Sequence, residues 1–115
     1  HKVSYCIGDY CFLGYGGGGF GKIDRELEEL VGKFIKANQG YKHLVLITHG
    51  PPYGTELDNI PFVGYVGNKS LTRTIRKLKP DLVISGHIHE CSGKIDHIDK
   101  SVLINPGPHG RVIEV

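Results

Sequence analysis

Two imidazoles, His87 and His89, stand two residues apart just beyond the apolar run Leu82-Val83-Ile84, and a third, His49, follows Leu44-Val45-Leu46-Ile47 in the same way. Neutral imidazole is a common metal ligand and suits borderline divalent ions. Two such ions roughly 3.5–4 Å apart clamp the attacking and leaving oxygens of an in-line displacement at phosphorus, and lower the pKa of a bound water toward neutrality. A single histidine is more often a hydrogen-bonded structural residue than a ligand. The joint pattern is the signal: two short apolar runs, each ending in histidine.

Those runs are the elements that must position the rings. Leu82 to Ile84 is bounded by Pro80 and Gly86, and Leu44 to Ile47 leads into Thr48-His49-Gly50-Pro51-Pro52. Both read as buried strands. In α/β sheets ligands collect beyond the carboxyl ends of strands, so His49, His87 and His89 are expected at one rim. If the chain stays extended past Gly86, an i, i+2 pair points to one side and both rings face the same site.

The remaining elements fit around this. Val3 to Ile7 and Cys11 to Gly14 are expected as strands joined by a Gly8-Asp9 turn. Asp24 is a natural N-cap for a helix whose apolar face is Leu27, Leu30, Val31, Phe34 and Ile35, ending at Gly40. A strand over 42–48 precedes Pro51 to Val66, a loop long enough to be a wall of the site. Asn68 or Ser70 caps a second helix with Leu71, Ile75 and Leu78 inward and Arg73, Arg76, Lys77 and Lys79 outward. Lys94 to Ile98 and Ser101 to Ile104 flank Asp99-Lys100 as a hairpin, and Arg111 to Val115 is expected as a last strand. Strands alternating with helices make this an α/β chain.

The sequence Thr48-His49-Gly50-Pro51-Pro52, then Gly86-His87-Ile88-His89, then a segment closing in Asn105-Pro106-Gly107, resembles the last two metal motifs of the calcineurin-like metallophosphoesterases. The likeness runs from about Val3 to Val115. It implies the carboxyl-terminal half of an α/β/β/α sandwich: one partial domain over 1–115, with one sheet face needing cover. It further implies a centre of two divalent ions, Mn, Zn, Fe or Ni, hydrolysing phosphomonoesters or phosphodiesters. His49 and His87 would bind the second metal and His89 the first. The family's D-x-H, G-D-x-x-D and G-N-H-D/E motifs are absent, and the resemblance implies that they lie before His1. Three imidazoles divided between two ions fall short of a four-ligand site. The chain alone is therefore expected to be inactive, and its partners are a phosphate ester and either the missing amino-terminal half or another copy. Two alternatives stand beside this: a non-catalytic or complementing subunit, and a nucleotide-binding module.

The module would use the glycine run. Gly14 to Lys22 matches G-x-G-x-x-G twice and G-x-x-x-x-G-K once, at Gly16 to Lys22. Ile23 replaces the hydroxyl residue that would hold magnesium, and glycine richness satisfies such patterns by composition alone. Gly8-Asp9 imitates a metal motif, but Phe12 stands where G-D-x-x-D needs its carboxylate, so it reads as a turn. Gly67-Asn68 fails likewise, with Lys69 in the place of histidine. His1, His43 and His97 take structural readings. His109, beside the Asn105 loop, is a candidate substrate contact, and Glu90 a candidate for orienting a ligand ring.

Composition excludes other classes. With 115 residues, 39% hydrophobic and 23% charged, the chain suits one soluble globular domain. A net charge of +2 is no strong nucleic-acid footprint, and no apolar stretch is long enough to span a membrane. Cys6, Cys11 and Cys91 lack C-x-x-C spacing and read as reduced thiols, which places the chain in the cytoplasm.

Overall fold

The computed structural model describes residues 2–16, 23–38, 40–108 and 110. The expectations for His109, for the strand over 111–115 and for the glycine run beyond Gly16 lie outside the described residues, as does His1.

Strand β1 (Lys2–Ile7) turns back on β2 (Tyr10–Tyr15), with Gly8 at φ +57 supplying the left-handed position that the tight turn needs. Gly8-Asp9 is thus a turn. Among the described residues Asp9 joins no metal-binding cluster: its carboxylate lies 3.8 Å from Lys42 Nζ, and its carbonyl accepts from the amides of Lys42 and His43. Helix α1 (Arg25–Ala37) starts where expected, capped by the Asp24 side chain, which accepts from the Leu27 amide at 3.1 Å. After β3 (His43–Thr48) the long loop folds a small hairpin of β4 (Asn59–Ile60) and β5 (Gly64–Tyr65). Asp58, fully buried, organises that loop by accepting from the amides of Gly54, Thr55 and Gly67 at 3.0, 2.7 and 2.9 Å. Helix α2 (Lys69–Leu78) is capped by Asn68 rather than Ser70. Then follow β6 (Leu82–Ser85), a single 3-10 turn (His89–Cys91) and the hairpin of β7 (Ile95–Ile98) and β8 (Ser101–Ile104).

The main sheet has the order β1-β2-β3-β6-β8-β7. Its four inner strands run parallel and its two edges antiparallel. Alternation along the strands divides the side chains between the two faces. Leu13, Leu44, Leu46, Val83 and Leu103 pack with Leu27, Val31 and Phe34 of α1 and Leu71 and Ile75 of α2 in the main core. The opposite face carries Val45, Leu82 and Ile104 as a smaller cluster, and toward β1 it leaves Val3, Tyr5, Ile7, Phe12 and Ile47 exposed. Parallel strands normally bury both faces, so this apolar face is one that a second layer would cover.

The expectation of three reduced thiols is corrected. Cys6 and Cys11 are a disulfide, while Cys91 is free and buried. The reason is register. A two-residue turn sets Cys6 directly opposite Cys11, Cα to Cα 4.1 Å, and a five-residue separation across a hairpin is a bonding distance that no C-x-x-C search finds. The cytoplasmic expectation thereby loses its thiol argument. No helix among the described residues is long and apolar enough to cross a membrane.

Candidate functional site

The sheet's backbone ladder runs one residue past its inner strands. The His49 amide donates to the Tyr15 carbonyl at 3.1 Å, and the His49 carbonyl accepts from Gly86 at 3.1 Å, so the backbone that carries His49 is held from both sides. Beneath it, the Thr48 and Ser85 hydroxyls lie 2.9 Å apart, and Thr48 Oγ1 donates to the Gly50 carbonyl at 2.9 Å. One hydroxyl has one proton, so Ser85 donates to Thr48 in this arrangement. Two polar residues at the ends of apolar strands thus lock β3 and β6 together below the histidines.

Past Ser85 the chain does not stay extended. Ile88 donates back to the Gly86 carbonyl at 2.9 Å, across a His87 held at φ +70. That is a γ-turn of the rarer left-handed form, a conformation that costs a non-glycine residue free energy and persists where the surroundings enforce it. The enforcement comes from below: Ile88 is buried, and its carbonyl accepts from Asn105 Nδ2 at 3.1 Å. The i, i+2 argument for His87 and His89 is therefore corrected, since a turn and not a strand separates them.

The consequence is a pair. The rings of His49 and His87 lie 4.5 Å apart, tilted at 57°. His87 has a pKa below the ordinary imidazole value, chiefly because burial disfavours its charged form, and next because His49 and His89 would repel it. A ring kept neutral is a ring ready to ligate. His89 opens the exposed 3-10 turn, which is anchored by buried Cys91, whose sulfur lies 3.7 Å from the Asn59 carbonyl. Glu90 is exposed and orients no ring by a hydrogen bond among the described residues. His43 stacks on Tyr10 and His97 lies in edge strand β7, so both keep their structural readings.

A cavity of about 650 Å³ opens here, lined by Ile84 to His89, Ser92 and the loop 105–108. A shallower one of about 330 Å³ beside it takes in His49, and the two share Ile47 and Thr48. The wall expected from Pro51 to Val66 is instead supplied by 105–108. Asn105 does most here: it bonds the His87 turn, accepts from Gly107 at 3.1 Å, and lines the cavity. The signal for it was present as Asn-Pro-Gly after a strand, but a turn motif does not say which neighbouring turn its side chain supports.

Among the described residues, no three His, Cys, Asp or Glu side chains gather closely enough to hold one metal ion. The donor set brings two imidazoles together, His49 and His87, and His89 lines the same cavity as His87. Such a set is chemically suited to a divalent ion, yet incomplete.

The sequence model of the calcineurin-like phosphoesterases matches residues 3–91. An uncharacterized protein of Methanocaldococcus jannaschii, MJ1162, is 34% identical over 85 residues, covering 70% of this chain and 38% of that protein. One crystal structure superposes with a TM-score of 0.74 at 21% identity, covering 93% of this chain and 44% of its own. A putative 5'-nucleotidase from Staphylococcus aureus, solved with alpha-ketoglutarate, gives a TM-score of 0.55 at 14% identity, covering 94% of this chain and 24% of its own. The chain therefore spans less than half the length of each of these proteins, and it shares the α/β fold of the two solved structures over the part that superposes.

Proposed function

Because the chain belongs to the calcineurin-like phosphoesterase family, we propose that it carries part of the metal centre of a hydrolase acting on phosphomonoesters or phosphodiesters. His49 and His87 would hold one divalent ion, and His89 would contribute to a second. Bound there, the ions supply positive charge for the displacement at phosphorus and make water acidic enough to attack near neutral pH. The observation that carries the reading is the His49–His87 pair, with ring centroids 4.5 Å apart and His87 on a left-handed turn that the core enforces. The chain's own work is positional. The Thr48–Ser85 hydroxyl pair keeps the two strand ends in register, the γ-turn brings His87 toward His49, and Asn105 holds that turn.

Three imidazoles with no carboxylate neither complete nor neutralise a two-ion centre. The remaining donors come from protein outside these 115 residues, an amino-terminal half or a second copy, and the same protein covers the sheet's open face. The test is hydrolysis of bis-p-nitrophenyl phosphate and p-nitrophenyl phosphate with manganese or nickel. Residues 1–115 alone are expected to give negligible turnover, and the upstream half, fused or added in trans, to restore it. A His87-dependent rate of about 1 s⁻¹ or more from residues 1–115 alone, an ordinary enzymatic rate, would overturn the division of the site.

A further inference from the structure

Away from the three histidines, Lys69, Arg73 and Arg76 recur at i, i+4 and i+7 along α2 and line a groove of about 410 Å³ with Tyr53, Thr72 and Ile23. At 1.5 Å per residue the row extends over about 10 Å. Among the described residues one carboxylate reaches it: Glu28 Oε1, 3.2 Å from Arg73 Nη2. Lys69 and Arg76 have no carboxylate within ion-pair distance among the described residues. The net charge of +2 conceals this patch, because the acids between Asp24 and Glu29 offset it in the total.

Aromatic rings continue the surface. The Lys69 ammonium lies 4.8 Å from the centre of the Tyr53 ring, and Tyr53 packs on Tyr65 of β5 with centroids 5.9 Å apart. The β4–β5 hairpin then turns through Ile60-Pro61-Phe62-Val63, closed by the Val63 amide on the Ile60 carbonyl at 3.1 Å. Proline followed by a residue at φ +66 is the type II turn, whose third position favours glycine or asparagine. Phe62 occupies it, with its ring fully in solvent at 110% relative exposure. Nothing in the hairpin offsets the backbone cost of phenylalanine there.

A cationic helix face alone is ordinarily just solvated. Here the face leads through Tyr53 and Tyr65 to a hairpin whose turn carries a fully exposed ring in a position where glycine would be more stable, and that is not ordinary. Cations in a line match a linear polyanion, whereas a compact phosphate needs them to converge on one point. Exposed rings add base stacking, which inorganic polyphosphate and lipid headgroups cannot use. We propose that this surface binds single-stranded nucleic acid, with successive phosphates along Lys69, Arg73 and Arg76 and bases stacked on Phe62 and Tyr65.

The experiment is fluorescence anisotropy of a labelled oligothymidylate with the full-length protein that carries this chain. Three phosphate contacts on a single strand weaken binding about 20-fold between 50 and 200 mM salt. The variant K69Q/R73Q/R76Q is expected to lose that dependence. Phe62→Gly should weaken binding about 5-fold or more, the low end of base–aromatic stacking, while its unfolding midpoint stays level or rises. A merely structural Phe62 would show neither. His87→Ala should bind the oligonucleotide as the native protein does, which separates a failure here from a failure of the phosphoesterase reading. The proposal is overturned by no binding at 50 mM salt, by unchanged affinity in the triple variant or in Phe62→Gly, or by tighter binding to phosphatidylglycerol vesicles or inorganic polyphosphate than to the oligonucleotide.

Discussion

Strand β3 begins with one histidine and is followed by another, and the two ends treat the same side chain in opposite ways. At the amino end, His43 stacks on Tyr10 with centroids 4.6 Å apart, and its Nδ1 lies 3.6 Å from Asp81 Oδ2. Asp81 also accepts from the Leu44 amide at 2.8 Å and reaches Lys100 at 3.6 Å, so the acid ties together three segments of the chain. At the carboxyl end, His49 faces a second imidazole. Burial first, and the facing His49 next, hold His87 below the ordinary imidazole pKa at this end. One end therefore holds its histidine as a structural partner, and the other presents basic nitrogens to whatever cation arrives. Residue type is common to both ends; the neighbour decides the role.

The sharpest way to break this comparison is to truncate both histidines. In the full-length protein, His49→Ala or His87→Ala should lower metal-dependent kcat/KM for bis-p-nitrophenyl phosphate by at least about 100-fold, since even residues that only orient metal ligands are worth 10–100-fold. His43→Ala should leave it within about 2-fold. Equal losses would erase the distinction between the two ends.

A second substitution probes the loop that leaves the carboxyl end. Gly67 passes so close to Pro51 and Pro52 that an added Cβ would lie 2.7 Å from the Pro51 carbonyl oxygen. Gly67→Ala should cost about 1–3 kcal/mol of unfolding free energy in urea, the usual penalty of overpacking. A neutral result would show that the loop can shift as a unit. The smallest effect is expected at the amino end. Asp81→Ala should lower stability by about 1–2 kcal/mol through its lost hydrogen bond and ion pairs, with hydrolysis unaffected. A loss of turnover beyond the loss of folded protein would mean that the two ends communicate.

Much of this was legible from residue order. The Asp24 cap, the apolar faces of both helices, the Gly8-Asp9 and Asp99-Lys100 turns and the strands that precede His49 and His87 follow from short-range rules, which left the second cap open between Asn68 and Ser70. Those rules depend on a few adjacent residues and survive any tertiary arrangement. The failures share a different cause. The Cys6–Cys11 bond depends on cross-strand register, and the γ-turn at His87 on an Asn105 side chain 17 residues away pulling on Ile88. The exposed ring of Phe62 depends on which turn type the β4–β5 hairpin adopts.

By itself, the order of residues determined that this is an α/β chain of the calcineurin-like phosphoesterases, with His49 and His87 each placed just beyond a buried strand. Hydrophobic periodicity and punctuation carry that much, because burial is repeated along the chain and can be read locally. Only the tertiary structure decided that the two rings stand 4.5 Å apart, that a turn separates His87 from His89, and that Lys69 of α2 meets Tyr53, which packs on Tyr65 of the β4–β5 hairpin. Distances between side chains on separate elements are set by the packing of those elements against one core, and no local pattern encodes them.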